Sequence, residues 1–194
     1  QQGLSEKILS CCDQIIKMPM LGSSDSLNLA VSAGVALYES IRKNPNYINP
    51  LTVSSIEDIH SILVKDLDIS RNIRSRRVGI SGTNYKPLDN EFQIKEAVES
   101  MCTLINSKKN VFEKALLSLV LVSYIQPFSD GNKRTARIIS NAILINNHFC
   151  PISFRTIDSI EYKKAMLVFY EQTNISPFKK AFIDQFEFAV NTYF

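Results

Sequence analysis

The residues best suited to chemistry lie together in Gln126-Pro127-Phe128-Ser129-Asp130-Gly131-Asn132-Lys133-Arg134-Thr135-Ala136-Arg137, between two apolar stretches. A loop rich in Asp, Gly, Asn and Lys opens directly into a helical pattern bearing Arg134 and Arg137. The first amides of a helix have no internal partners, and its macrodipole favours negative charge at that end. Gly131 can let backbone approach a phosphate closely. Lys133, Arg134 and Arg137 add positive charge, and a guanidinium can grip phosphate oxygens through two donors. Asp130 is placed to hold a divalent cation bridging two phosphates. Residue by residue, this could be an ordinary capped helix with a solvated basic turn. As an ordered string it reads as a site suited to a nucleoside triphosphate and its metal.

The elements around it read as helices. Leu4, Ile8, Cys11 and Ile15 share one helical face, and Leu27 to Ile41 repeats the pattern. The two prolines of Asn44 to Pro50 make the best internal boundary, dividing an N-terminal helical segment (1–49) from a second domain (50–194). Ser54 with Glu57 signals a capping box for a helix carrying Ile56, Ile59, His60, Leu63 and Leu67. Helices resume from Asp89 with Ile94, Val98, Met101 and Ile105 on one face. Further starts fall near Asn110, Asn132, Asp158 and Ser176-Pro177. Between them, Arg71 to Arg77 is basic and irregular. Val78-Gly79-Ile80-Ser81-Gly82-Thr83-Asn84-Tyr85 alternates about Ser81-Gly82 as a short β-hairpin would. The expected fold is all-α with one hairpin.

Apolar residues make up 45% of the 194 residues and charged residues 21%, so the chain can bury a core and is not disordered. A net charge of +3 is too small to call for nucleic acid or an anionic membrane. The apolar run Ala115 to Ile125, broken by Ser118 and Ser123, is too short to span a bilayer. Cys11, Cys12, Cys102 and Cys150 form no C-x-x-C pair. They read as buried, reduced thiols of a cytoplasmic protein, and His60 and His148 fall at no zinc-ligand spacing to them. The chain begins at Gln1 rather than methionine, so a segment is expected to have preceded it and the lack of a signal peptide carries little weight.

The loop string resembles the Fic family signature H-x-F-x-(D/E)-G-N-(G/K)-R-x-x-R, matched at Phe128, Asp130, Gly131, Asn132, Lys133, Arg134 and Arg137. The resemblance extends over about residues 50 to 190. It implies a Fic-type helical bundle that transfers AMP from ATP to a hydroxyl side chain of a target protein, with magnesium. By position, Asp130 would bind the metal, Asn132 and the Gly131 backbone the phosphates, Arg134 the β-phosphate and Arg137 the γ-phosphate. Lys133 would lie in the same nucleotide site, Phe128 would anchor the loop, and Val78 to Tyr85 would be a flap pairing with a target segment.

Two departures bear on activity. Gln126 stands where the family has its general-base histidine, and a primary amide is neither base nor acid near neutral pH. Transfer should therefore be weakened, with a nucleotide-binding pseudoenzyme as the rival outcome. Lys133 also occurs in the Doc-like branch that transfers phosphate, although Gly131 and Arg137 favour AMP. Some members carry an inhibitory (S/T)-x-x-x-E-(G/N) helix whose glutamate pairs with the second arginine. Glu39 has the right order along the chain, but Val35 and Ser40 depart from the pattern and favour a solvated helix residue. His60, among Ile56, Ile59 and Leu63, reads as a packed histidine rather than a substitute base.

Overall fold

The computed structural model describes residues 44, 48–64, 67–154 and 156–193. Cys11, Cys12, Glu39 and the first two expected helices lie outside them. The described elements belong to one unit, Ala33–Phe194, and comprise six helices: α1 (Val53–Leu63), α2 (Glu91–Ser107), α3 (Val111–Ile125), α4 (Asn132–Asn146), α5 (Ser159–Gln172) and α6 (Ser176–Tyr193).

Their boundaries follow from local chemistry. The Asn110 side chain accepts from the Phe112 and Glu113 amides to start α3, and Asp158 does the same for α5 through Ile160 and Glu161. Asn90 starts α2 in the same way. At α1 the expected Ser54–Glu57 box gives way to a reciprocal pair two residues earlier. Thr52 Oγ1 accepts from the Ser55 amide, and Ser55 Oγ accepts from the Thr52 amide. The helix ends at Leu63, leaving Leu67 outside it.

Helix α3 is the centre of the bundle. It packs along α4 and against α2, while α1 lies on α4 and α5 pairs with α6. Leu119, Val120 and Val122 meet Ile139 and Leu144, and Ile59, Ile94, Val98 and Phe178 complete a core of residues at most 1% exposed. Tyr162, Tyr170, Phe178 and Phe182 are buried, as their helical spacing suggests. Cys102 and Cys150 are buried free thiols.

The expected β-hairpin forms only in part. The turn is present, with Gly82 at φ +86, but no strand ladder forms among the described residues. Helices hold the segment instead. Tyr85 Oη donates to the Tyr124 carbonyl at 3.1 Å, and its ring stacks on Tyr124 at 4.4 Å. Glu171 Oε1 accepts from Thr83 Oγ1 and the Asn84 amide. With the C-terminal flank tied to both α3 and α5, the turn keeps its place without a cross-strand ladder.

Candidate functional site

The loop joining α3 to α4 is built around a left-handed residue at each end. Gln126 ends α3 at φ 53, ψ 58, and Pro127 cannot continue the helix. Gly131, at φ +81, precedes α4 and supplies no side-chain cap. The first-turn amides of α4 therefore have no side-chain acceptor at the cap, which is what an anion site requires. A Cβ on Gly131 would lie 3.3 Å from His60 Nε2 and 3.6 Å from Val64 Cγ1. Its closeness is to α1, a packing demand the sequence reading assigned to phosphate approach.

Asn132 differs from expectation in its side chain. It is 4% exposed, accepts from the Phe128 amide at 2.9 Å, and donates to the Phe128 carbonyl at 2.7 Å and to Gln126 Oε1 at 3.0 Å. Its carboxamide clasps the loop, leaving its place at the first helical position to serve an anion. Gln126 is equally committed: Nε2 donates to the Ser123 carbonyl at 2.6 Å while Oε1 accepts from Asn132. Phe128 is fully buried and anchors the loop.

The charged residues line the mouth. Asp130 Oδ1 accepts from the Gly131 amide at 2.6 Å, and Oδ2 pairs with Arg134 at 3.1 Å. Both side chains are at least half exposed, so solvent screens this pair. Lys133 is exposed beside them. Arg137 points elsewhere. Its guanidinium lies 5.6 Å from the Phe154 ring centroid and 5.3 Å from that of Tyr162, and it lines neither cavity described next.

Two adjoining cavities share Gly79, Gln126 and Lys133. The smaller, about 390 Å³, is walled by Val78, Ser129 and the Asp130–Arg134 turn. The larger, about 560 Å³, lies between Gly79–Gly82 and the α5 residues Tyr162, Lys163, Met166 and Tyr170. Tyr170 Oη is buried in that wall without a hydrogen-bond partner, and burial pushes its ionisation above the ordinary tyrosine range. Of the expected flap, Val78 to Gly82 thus border the site, while Thr83, Asn84 and Tyr85 are the anchor.

Two residues outside the motif support the loop, and sequence reasoning did not connect either to it. His60 is fully buried, stacked on Phe128 at 3.6 Å, with Nε2 3.0 Å from the Asp130 carbonyl and Nδ1 3.3 Å from that of Arg71. Burial lowers its pKa, outweighing the two carbonyl contacts that raise it. Arg74, 2% exposed, donates to the carbonyls that end α3. Both act across long sequence separations, which no local pattern reveals. His60 fits its expected packed role, and neither cavity wall carries a histidine.

Comparisons with known proteins divide the chain. The SpoU rRNA Methylase family model matches residues 1–38, a likeness that helical periodicity did not suggest, and the Fic/DOC family model matches residues 50–144. RlmB of Bordetella pertussis, a 23S rRNA (guanosine-2'-O-)-methyltransferase, is 45% identical over 42 residues, 22% of this chain and 17% of that protein. Protein adenylyltransferase Fic of Nematostella vectensis is 48% identical over 50 residues, 26% of this chain and 12% of that protein. The chain therefore spans less than a fifth of either curated relative. Among solved structures, Fic-1 of C. elegans superposes with a TM-score of 0.70 at 19% identity, covering 91% of this chain and 53% of that one. BepC of Bartonella tribocorum, solved with bound AMPPNP, gives 0.61 at 16% identity, covering 80% and 83%. The motif, the helical fold of the described residues and the family match agree that residues 50–144 are a Fic domain.

Proposed function

We propose that this domain binds Mg-ATP in the two joined cavities and is built to transfer AMP to a hydroxyl side chain of a target protein. The observation that carries the reading is the uncapped start of α4, fronted by Lys133 and Arg134 and opening into a cavity of nucleoside size. The phosphates would lie against the α4 amides and Arg134, and the nucleoside between Gly79–Gly82 and Tyr162. The names of the Nematostella relative and the AMPPNP-bound neighbour support the choice of nucleotide and reaction.

The donor set fits a magnesium ion of the nucleotide-bound kind. Asp130 offers one exposed carboxylate, no cluster of three or more His, Cys, Asp or Glu residues occurs among the described residues, and magnesium is commonly held by one carboxylate plus phosphates and water. Bound there, the ion would neutralise phosphate charge. Arg134 would then exchange Asp130 for a phosphate, a swap made cheap by the exposure of the pair.

In transfer, the target oxygen bonds to the α-phosphorus, the bond to the bridging oxygen breaks, and pyrophosphate leaves. The hydroxyl proton needs an acceptor. Gln126 offers none, since its carbonyl oxygen already accepts from Asn132 and an amide is not a useful base. This favours a second reading, a nucleotide-binding module that no longer transfers, with cytoplasmic location common to both.

Restoring the base decides between them. Intact mass after incubation with Mg-ATP and a lysate should show AMP-sized additions about 10²–10⁴-fold faster for Gln126→His than for the parent. Tight nucleotide binding with no addition would establish the non-transferring module, and a phosphate-sized addition would establish Doc-like chemistry.

A further inference from the structure

We propose that Arg74, outside the loop motif, is the positioning residue for position 126 and joins the foot of the flap to it. Its guanidinium is buried, and among the described residues no carboxylate forms an ion pair with it. Nε donates to the Gln126 carbonyl at 2.6 Å, and Nη2 reaches the Ile125 carbonyl at 3.5 Å. These are the last carbonyls of α3, the negative end of its macrodipole, so a helix terminus answers the buried charge. The Arg74 amide donates to the Pro127 carbonyl at 2.9 Å. One side chain and its own backbone thus hold three successive peptides, the middle one in the left-handed conformation.

The remaining arm reaches the other wall. Nη1 donates to the Arg76 carbonyl at 2.8 Å, two residues before Val78, which lines the smaller cavity with Gly79. The planar fork therefore fixes the distance between residue 126 and the segment facing it. A lysine keeps the charge but cannot span both groups. It also follows that a fixed positive charge stands behind position 126, favouring an anion in front of it and disfavouring protonation of any imidazole placed there.

The proposal rests on 126 being the functional position, but its readouts need no turnover or nucleotide, so failed AMP transfer leaves it testable. NMR titration would follow the imidazole introduced by Gln126→His, alone and combined with Arg74→Met or Arg74→Lys, with His60 and His148 as internal references. Lys133 and Lys163 face position 126 across the larger cavity, with the phenol rings of Tyr162 and Tyr170. Asp130 and Arg134 face it across the smaller, and Tyr85 and Asp89 act on Arg74 itself. All stay in place in every variant.

Arg74→Met should raise the introduced imidazole's pKa by about one pH unit, the scale of a unit charge several ångströms away at a protein-like dielectric. Arg74→Lys should leave that pKa nearly unchanged while displacing the Gly79 and Gly82 amide resonances. An unchanged pKa in a folded Arg74→Met variant would overturn the proposal. If Arg74→Met does not fold, unmoved Gly79 and Gly82 resonances in Arg74→Lys would overturn it equally.

Discussion

Gly131→Ala probes the loop where backbone and packing demands coincide. At φ +81, an L-residue costs about 1–2 kcal/mol relative to a right-handed conformation. The added methyl then meets His60 Nε2 at 3.3 Å and Cδ2 at 3.4 Å, contacts that require the ring to retreat by a few tenths of an ångström. That ring is poorly able to move, being fully buried, stacked on Phe128 and held at both nitrogens. Overpacking against such a neighbour costs about 1–3 kcal/mol. The narrower unfolded ensemble of alanine returns about 0.4–1 kcal/mol. The net expectation is a loss of about 1–5 kcal/mol, centred on about 3, with the melting temperature lower by about 2–4 °C for each kcal/mol in a chain of this size. Urea unfolding followed by circular dichroism measures it. A second variant, Gly131→Ala with His60→Ala, should show a favourable coupling of about 1 kcal/mol because the crowding is gone. A single variant within about 0.5 kcal/mol of the parent would refute the account of Gly131.

The proposed nucleotide site and its support can be tested separately. Arg134→Glu puts two carboxylates one helical turn apart at the cavity mouth and should lower Mg-ATP affinity by about 100-fold or more in calorimetry; equal affinity would remove the site assignment. His60 has a folded-state pKa below its unfolded value, so the unfolded chain binds the proton more readily. Its contribution to stability is complete above the unfolded pKa of about 6.5 and is lost as pH falls through that value toward the folded one. Urea midpoints should therefore fall from pH 7.5 to pH 5 by less in His60→Gln than in the parent, and parallel losses would refute the assignment.

What the sequence discloses depends on how local each determinant is. The Asn110 and Asp158 caps are legible because a cap and the run it starts are neighbours in the chain, and the start of α4 because Gly131 stands directly before its helical pattern. The α1 cap is misplaced by two residues because Thr52–Ser55 and Ser54–Glu57 are both plausible on paper, and the structure uses the earlier pair. The loop motif points to the candidate site, but not to the inward turn of the Asn132 carboxamide or the placement of Arg137 on Phe154 and Tyr162. Those orientations depend on Gln126 and on the α5 region, which the motif does not encode. The hairpin is half legible: Ser81-Gly82 dictates a turn, whereas what holds its C-terminal flank is decided by Tyr124 and Glu171, 39 and 88 residues from their partners. His60 and Arg74 reach the loop across 70 and 52 residues, beyond any local periodicity.

The Asp130–Arg134 pair has a consequence for selectivity. With each group holding the other, a lone anion must take Arg134 from its carboxylate, and a lone cation must take Asp130 from its guanidinium. Either single ligand strands one charge without its partner. A polyphosphate carrying its own cation satisfies both at once, with no charge left over. Under the proposed function the loop would act as a shallow coincidence detector: because the pair is exposed and screened, free phosphate and free magnesium would each meet a small penalty that the metal–nucleotide complex avoids.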